Sequence, residues 1–322
     1  MTTLKMKAAV NSRYGGPEVV SVQQVDKPAP GNREILIKIH ATAVNSADSR
    51  LRKADPFAVR FFFGLFRPRK KILGGVLSGV VEAVGPGVEG FKPGDAVFGA
   101  TALRFGAHAE YICLPDNAPL VGKPGHMTHE EAASLPFGGM TALHFLQKAQ
   151  IQPGQRVLIY GASGAVGTAA VQIAKSLGAQ VTGVCSTANV ELVKSLGADE
   201  VIDYRTTDFS ATGVRYDVIY ETVNKASFSA CVAALQPGGV LLLGAAMAGN
   251  MLRGAWASAT GDKKVISSVA SETLESVAAL ARLAEEGQLK AAIDRVFSLE
   301  QIAEAYACVD QGHKRGNVVI VV

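Results

Sequence analysis

Two hydrophobic patterns divide the chain. Up to about residue 122, short alternating or apolar runs at 7–10, 34–41, 76–84, 96–98 and 109–114 are separated by Gly and Pro turns, among them GPGVEGFKPGD. Period-two segments of this length between turn residues predict a mostly-β unit. After Pro124 the pattern lengthens. The stretch THEEAASLPFGGMTALHFLQKA predicts a helix broken around its Pro and Gly, started by a capping box of Thr128 and Glu131. Strand-like runs at 157–160, 181–185, 200–203, 216–220, 240–243 and 265–269 then alternate with helical segments. Mainly apolar strands spaced by helices predict an α/β fold with about six strands in a doubly wound parallel sheet. Helical segments at 274–286 and 299–309 precede a last strand at 317–322. That strand has no evident partner in the parallel sheet, so the chain is expected to return to the N-terminal β unit. No repeat or low-complexity segment interrupts this plan.

Residues 156–185, RVLIYGASGAVGTAAVQIAKSLGAQVTGVC, hold a strand, a glycine turn, a helix and a second strand in the length of one βαβ unit. Gly161 permits the tight turn, Gly164 lets the backbone approach a diphosphate, and Gly167 lets the helix pack on its strand. The diphosphate would rest on Ser163, Gly164, Ala165, Val166 and Gly167, where free N–H groups and the positive end of the helix dipole favour an anion. The acid expected some 20 residues further on, which would accept the ribose 2′-hydroxyl of NAD, is missing. Ser186, Thr187, Ala188 and Asn189 stand there instead. Hydroxyls and an amide can donate to a 2′-phosphate, so NADP is the expected cofactor. The same residues also suit the start of a helix. Tyr204 and Arg205, after the third strand, offer an aromatic face for adenine and a cation, or else form a solvated loop pair. Gly244, ending the run at 240–243, completes the cofactor candidates of this region.

Composition narrows the class. The 322 residues suffice for two ordinary domains, and the net charge of +4 is spread along the chain without the basic stripe of a nucleic-acid binder. Cys113, Cys185, Cys231 and Cys308 are far apart in apolar contexts and read as buried thiols. The six histidines show no ligand spacing and read as surface or helix-face residues. No apolar run approaches the roughly 18 residues of a membrane span, the run at 57–66 being interrupted by Arg60. The opening MTTLKMKAAVNSRYGG has no apolar signal core, so a soluble cytoplasmic protein is expected.

The segments ATAVNSAD (41–48), GVVEAVGPGVEGFKPGDAVFG (79–99), AASLPFGGMTAL (132–143), GASGAVGTAAVQIAKSLGA (161–179) and SLGADEVIDY (195–204) together resemble the medium-chain dehydrogenase/reductase superfamily, in particular its zinc-free quinone oxidoreductase-like branch. The resemblance implies a GroES-like mostly-β catalytic domain at 1–122, completed by 290–322, and a Rossmann NADP-binding domain at 123–289, with the active site in the cleft between them. A homodimer or a monomer is expected. Zinc-dependent relatives carry a Cys where Asn45 falls, a His and a Glu where Gly75 and Val76 fall, and a four-cysteine lobe. All are absent here, and Asn, Gly and Val cannot make a tetrahedral zinc site.

Without a Lewis acid, hydride addition to an enone or quinone is easier than alcohol oxidation, because the charge delocalises onto oxygen. By family position Asn45 would lie at the nicotinamide and donate to that oxygen; its plainer reading is a turn residue before a helix. Arg50 matches a basic cofactor-contacting position and Thr141 one near the nicotinamide. Phe57, Phe61, Phe62, Phe63 and Phe66, followed by Arg67, Arg69, Lys70 and Lys71, fall where relatives roof the substrate cleft. They read as a lid for a small apolar substrate with a solvated basic rim, the competing reading being contact with an anionic membrane surface. The expected function is an NADPH-dependent quinone or enone reductase. The alternatives are a non-enzymatic NADPH-binding protein and a zinc-independent alcohol dehydrogenase-like enzyme.

Overall fold

The computed structural model describes residues 4–244 and 262–322. They fall into two compact units, Met1–Phe137 with Glu272–Glu285 and Ala291–Val322, and Gly138–Ser271 with Glu286–Lys290.

In the first unit β1 (Lys5–Asn11) and β2 (Val20–Asp26) form an antiparallel ribbon. β3 (Glu34–Val44), α1 (Ser46–Lys53), α2 (Val59–Phe63), β4 (Val76–Val84), β5 (Ala96–Ala100), β6 (Tyr111–Pro115) and β7 (Leu120–Gly122) follow. The long β3 is mostly buried because it is shared: it pairs antiparallel with β4 and β6, and its last residues pair with β15 (Asn317–Val321). Val318 lies opposite Val44 and Ile320 opposite Thr42, so the final strand of the chain closes on the β sheet of its beginning. β14 (Ile293–Ser298) runs parallel along β15 and forms that edge. Ile35, Ile37, Leu77, Val97, Leu114 and Leu120 make one apolar core of this unit.

The helix α3 (His129–Ala149) begins with the expected capping box: the Thr128 N–H donates to Glu131 Oε2 at 2.9 Å and the Glu131 N–H to Thr128 Oγ1 at 3.2 Å. It runs through Pro136 without the expected break. A proline inside a helix costs about 3 kcal/mol, and here both flanks are anchored by buried Ala132, Ala133, Met140 and Ala142.

The second unit holds β8 (Arg156–Tyr160), α4 (Ala165–Ser176), β9 (Gln180–Cys185), α5 (Val190–Ser195), β10 (Glu200–Asp203), β11 (Tyr216–Glu221), α6 (Phe228–Ala233), β12 (Leu235–Leu243) and β13 (Lys264–Ser267). Among the described residues its sheet has six strands, all parallel, in the order β10-β9-β8-β11-β12-β13. This is the doubly wound Rossmann arrangement. Its strand order reverses between β8 and β11, where such sheets leave a crevice at the carboxyl ends of the strands. No helix among the described residues is long and apolar enough to cross a membrane.

Candidate functional site

The glycine turn leaves β8 at that reversal, and each glycine has its own geometry. Gly161 has φ 82°, a left-handed conformation free of steric cost only for glycine. The N–H groups of Gly161 and Ala162 both donate to the Val184 carbonyl at 3.0 Å, which fastens the turn to β9. A Cβ on Gly167 would stand 2.1 Å from the Gly161 oxygen, so α4 lies directly against its own turn. A Cβ on Gly164 would meet nothing nearer than that oxygen at 3.6 Å, which leaves this side open. No side chain caps α4, and its first backbone bond is from the Thr168 N–H to the Gly164 carbonyl. The N–H groups of Ala165, Val166 and Gly167 therefore have no acceptor among the described residues and suit a diphosphate. Gly138 on α3 permits close approach here, since a Cβ on it would be 2.2 Å from the Ala165 carbonyl oxygen.

At the end of β9 the structure brings three candidates together. The Asn189 side-chain amide donates to Ser163 Oγ at 3.0 Å and to Ser186 Oγ at 3.2 Å. Both hydroxyl oxygens act as acceptors, which leaves both hydroxyl protons for another partner. Thr187 behaves differently: its hydroxyl donates to Asp203 Oδ2 at 2.5 Å. Its one proton is thereby committed to a carboxylate that the sequence reading did not consider. That bond, with the Arg205 N–H donating to Oδ1, holds the Asp203 carboxyl below its ordinary pKa. Asp203 lies beside Cys185 in the β10–β9 register, so the signal for it was strand alignment rather than motif. The half-exposed Tyr204 follows, its N–H bonded to the Cys185 carbonyl.

Thr141 and Gly244 both border Tyr220, another residue missed from sequence. The Tyr220 hydroxyl lies 3.5 Å from the Thr141 carbonyl oxygen, and a Cβ on Gly244 would meet the Tyr220 ring at 2.8 Å. Tyr220 is fully buried, and burial raises its phenol pKa, so it stays neutral.

In the first unit Asn45 is the N-cap of α1. Its Oδ1 accepts from the N–H groups of Ala47 (2.8 Å) and Asp48 (3.1 Å), while Asp48 Oδ2 accepts from the Asn45 N–H at 3.0 Å. The turn reading of Asn45 is thus a structural fact, and it is compatible with the chemical one. The oxygen is used by the cap, and the amide NH₂ has no partner among the described residues. Asp48 also accepts from the Gly74 N–H at 3.2 Å. Burial pushes its carboxyl up to about 7 against the pull of these two backbone bonds. Arg50 is exposed in the last turn of the same helix. Gly75 is buried, yet a Cβ built on it would meet nothing within 4 Å, so space remains where zinc-dependent relatives carry a ligand. Among the described residues no three His, Cys, Asp or Glu side chains converge as a metal site.

Not every histidine is the expected surface or helix-face residue. His108 is a core residue, 1% exposed, with Nε2 3.2 Å from the Ala43 carbonyl oxygen and Nδ1 3.3 Å from the Tyr306 hydroxyl. Its polar atoms are satisfied inside the protein, which is what makes burial of an imidazole tolerable. His40 and His129 are stacked, ring centroids 4.6 Å apart.

A Rossmann sheet with an open glycine turn, joined in one chain to a β unit closed by the C-terminal strand, defines a nicotinamide-dependent oxidoreductase. Residues 31–125 match the family model described as an alcohol dehydrogenase GroES-like domain, and residues 196–320 match one described as a zinc-binding dehydrogenase. The chain is 33% identical over 331 residues to a chloroplastic quinone-oxidoreductase (QR1) of Triphysaria versicolor, with 98% of each chain covered. It is 31% identical to the 2-methylene-furan-3-one reductase of Solanum lycopersicum, covering 98% of this chain and 79% of that one. It superposes on the quinone oxidoreductase from Coxiella burnetii with a TM-score of 0.88 at 28% identity, over 99% of this chain and 100% of that one. The chain belongs to the medium-chain dehydrogenase/reductase superfamily, in its quinone-oxidoreductase-like branch.

Proposed function

We propose that the chain is a cytoplasmic, NADPH-dependent reductase of quinones or α,β-unsaturated carbonyl compounds that works without zinc. The observation that carries the cofactor assignment is the Asn189 amide, which donates to the Ser163 and Ser186 hydroxyl oxygens beside the glycine turn and so leaves the proton of each hydroxyl for another acceptor. A 2′-phosphate accepts such donors, whereas a ribose hydroxyl is better served by a carboxylate. Ser163 to Gly167 would hold the diphosphate, Tyr204 would face the adenine, and Thr141 and Gly244 would flank the nicotinamide end. Bound there, NADPH supplies a hydride to an electron-poor carbon of the substrate.

The protein's own part is to position the reactants and stabilise charge. In this reading the free NH₂ of Asn45 donates to the substrate oxygen as it gains negative charge. Arg50 adds a cation toward the cofactor, and a proton from water or a side chain completes the reduction. The donor set does not fit zinc, because the Asn45 oxygen is spent on two backbone N–H groups and Gly75 and Val76 bring no ligand.

The test is NADPH consumption across quinones, alkenals and cyclic enones, with cofactor affinities by fluorescence titration. Turnover should survive exhaustive chelation, and NADPH should bind more tightly than NADH. Ser186→Asp should weaken NADPH by about 1–3 kcal/mol through charge repulsion and a lost hydrogen bond, with little effect on NADH. Equal affinities for the two cofactors, or a zinc whose removal abolishes turnover, would refute the assignment.

A further inference from the structure

Between Pro56 and Val81 the sequence contains no acidic residue, but it does contain Arg60, Arg67, Arg69, Lys70 and Lys71. The same stretch holds the main cluster of exposed aromatic residues among those described. Phe57 is 60% exposed, Phe61 67%, Phe62 78% and Phe66 85%, with Leu65 beside them at 44%. Isolated exposed apolar residues are ordinary, but five within ten positions are not.

The segment is held in place from beneath. The Tyr14 hydroxyl donates to the Gly64 carbonyl at 2.7 Å, and the Arg69 N–H donates to the Phe63 carbonyl at 2.7 Å. Gly64 has φ 118°, and a Cβ on it would collide with the Arg67 carbonyl oxygen at 2.1 Å, so the turn after α2 is a tight one that glycine alone fits. Phe63 turns inward, its ring edge-on to Phe105 at 5.8 Å. The Arg60 guanidinium stacks over Tyr14 and Phe57 at 4.8 and 5.2 Å. The outward phenylalanines thus stand on an ordered scaffold. Arg67, Arg69, Lys70 and Lys71 are exposed, and none forms an ion pair among the described residues.

We propose that the segment 57–71 docks the protein on an anionic lipid bilayer, with Phe57, Phe61, Phe62 and Phe66 entering the boundary between headgroups and acyl chains and Arg67, Arg69, Lys70 and Lys71 binding the headgroups. Charge complementarity selects this occupant. A lid over an apolar substrate accounts for the phenylalanines and gives four unpaired cations no use. A second copy of this chain meeting the patch about a two-fold axis would set those cations against their own images. An anionic membrane surface uses both features: amphipathic aromatics gain by partial insertion, and each nearby Lys or Arg adds attraction to the anionic leaflet.

The full-length protein is tested by flotation with vesicles of phosphatidylcholine alone and of phosphatidylcholine with phosphatidylserine. It should float with the phosphatidylserine vesicles, lose that binding at high salt, and stay in solution with phosphatidylcholine alone. Lys70→Glu with Lys71→Glu should lower binding at least about tenfold while leaving NADPH oxidation unchanged. Phe62→Ser with Phe66→Ser should do the same to binding, its fold being checked by circular dichroism. Equal binding to both vesicle types, binding to neither, or binding indifferent to the phenylalanine pair would overturn the proposal. So would concentration-dependent self-association, read by sedimentation, that disappears in the phenylalanine variant without any vesicle binding.

Discussion

In the first unit, buried charged and aromatic polar groups hold the fold together; in the second, the central strands are largely apolar and the candidate-site polar groups gather where the strands end. Arg52 has no exposed surface, yet it donates to the Gly15 carbonyl and to Asp310 Oδ2, both at 2.6 Å, and its guanidinium stacks 4.9 Å over the Tyr306 ring. Asp310 ends a helix 258 residues away in sequence. The pair therefore ties α1 to the C-terminal part of the chain. Asp48, His108 and Tyr306 are buried in the same unit. By contrast Val157, Leu158, Ile159, Val218 and Ile219 fill the centre of the parallel sheet. Ser163, Ser186, Asn189 and Asp203 all lie just beyond or at the strand ends. The difference separates two uses of polarity. Polar groups satisfied by the protein fix a fold, and those left with protons or lone pairs to spare are available to a ligand.

Breaking the Arg52 pair is expected to have the largest effect on stability. Arg52→Met keeps an apolar stem but leaves the Gly15 carbonyl and part of the Asp310 carboxylate without a donor. Removing one member of a buried pair typically costs about 3–5 kcal/mol. Urea denaturation should show that loss, and a change within a few tenths of a kcal/mol would mean that the pair contributes little to the fold.

The second effect is set by pH. Burial depresses the His108 imidazole from 6.5 to about 4, so the folded protein keeps it neutral where the unfolded chain takes up a proton. The stabilisation is complete above pH 6.5 and is lost as pH falls through about 4, a total of roughly 3 kcal/mol. Asp48 acts with opposite sign. Its carboxyl, raised from 3.8 to about 7, gives most stability below pH 3.8 and loses it as pH rises to about 7. The difference between the stability profiles of the native protein and His108→Gln isolates the histidine. It should narrow by roughly 3 kcal/mol between pH 6.5 and 4, and parallel profiles would remove His108 as the cause.

What could be read from sequence follows the same division. The central strands β8, β9 and β11 were legible nearly to their ends because they are largely buried and the apolar run is most of the strand, whereas only the apolar second half of β12 was foreseen and its LQPGG beginning was not. The run expected at 200–203 is β10 itself. The strands not foreseen, β2, β7 and β14, are a ribbon strand and two sheet edges. β2 reads VSVQQVD and is mostly exposed, so no apolar signal marked it. The glycine turn was legible because its constraints are local. The role of Asp203, the Tyr220 contacts and the burial of His108 were not, since each depends on a partner brought near by the fold: Thr187, Thr141 and Tyr306.

Asn45 gives the finest test of the comparison, because it is a buried first-unit residue with one polar atom satisfied and another to spare. Its Oδ1 caps α1, and replacing a capping Asn by Ala costs about 1 kcal/mol. Its amide NH₂ is unpartnered, and if it donates to charge that develops only during hydride transfer, its loss lowers kcat by roughly ten- to a thousandfold with NADPH affinity little changed. Asn45→Ala removes both functions, whereas Asn45→Ser keeps a capping oxygen and removes the amide. The alanine variant should lose about 1 kcal/mol and the serine variant only a few tenths, with kcat reduced in both. A residue that is only a cap would give another result: kcat per folded molecule unchanged in both variants, with a stability loss in alanine alone. Thermal denaturation beside steady-state kinetics on the two variants distinguishes these outcomes.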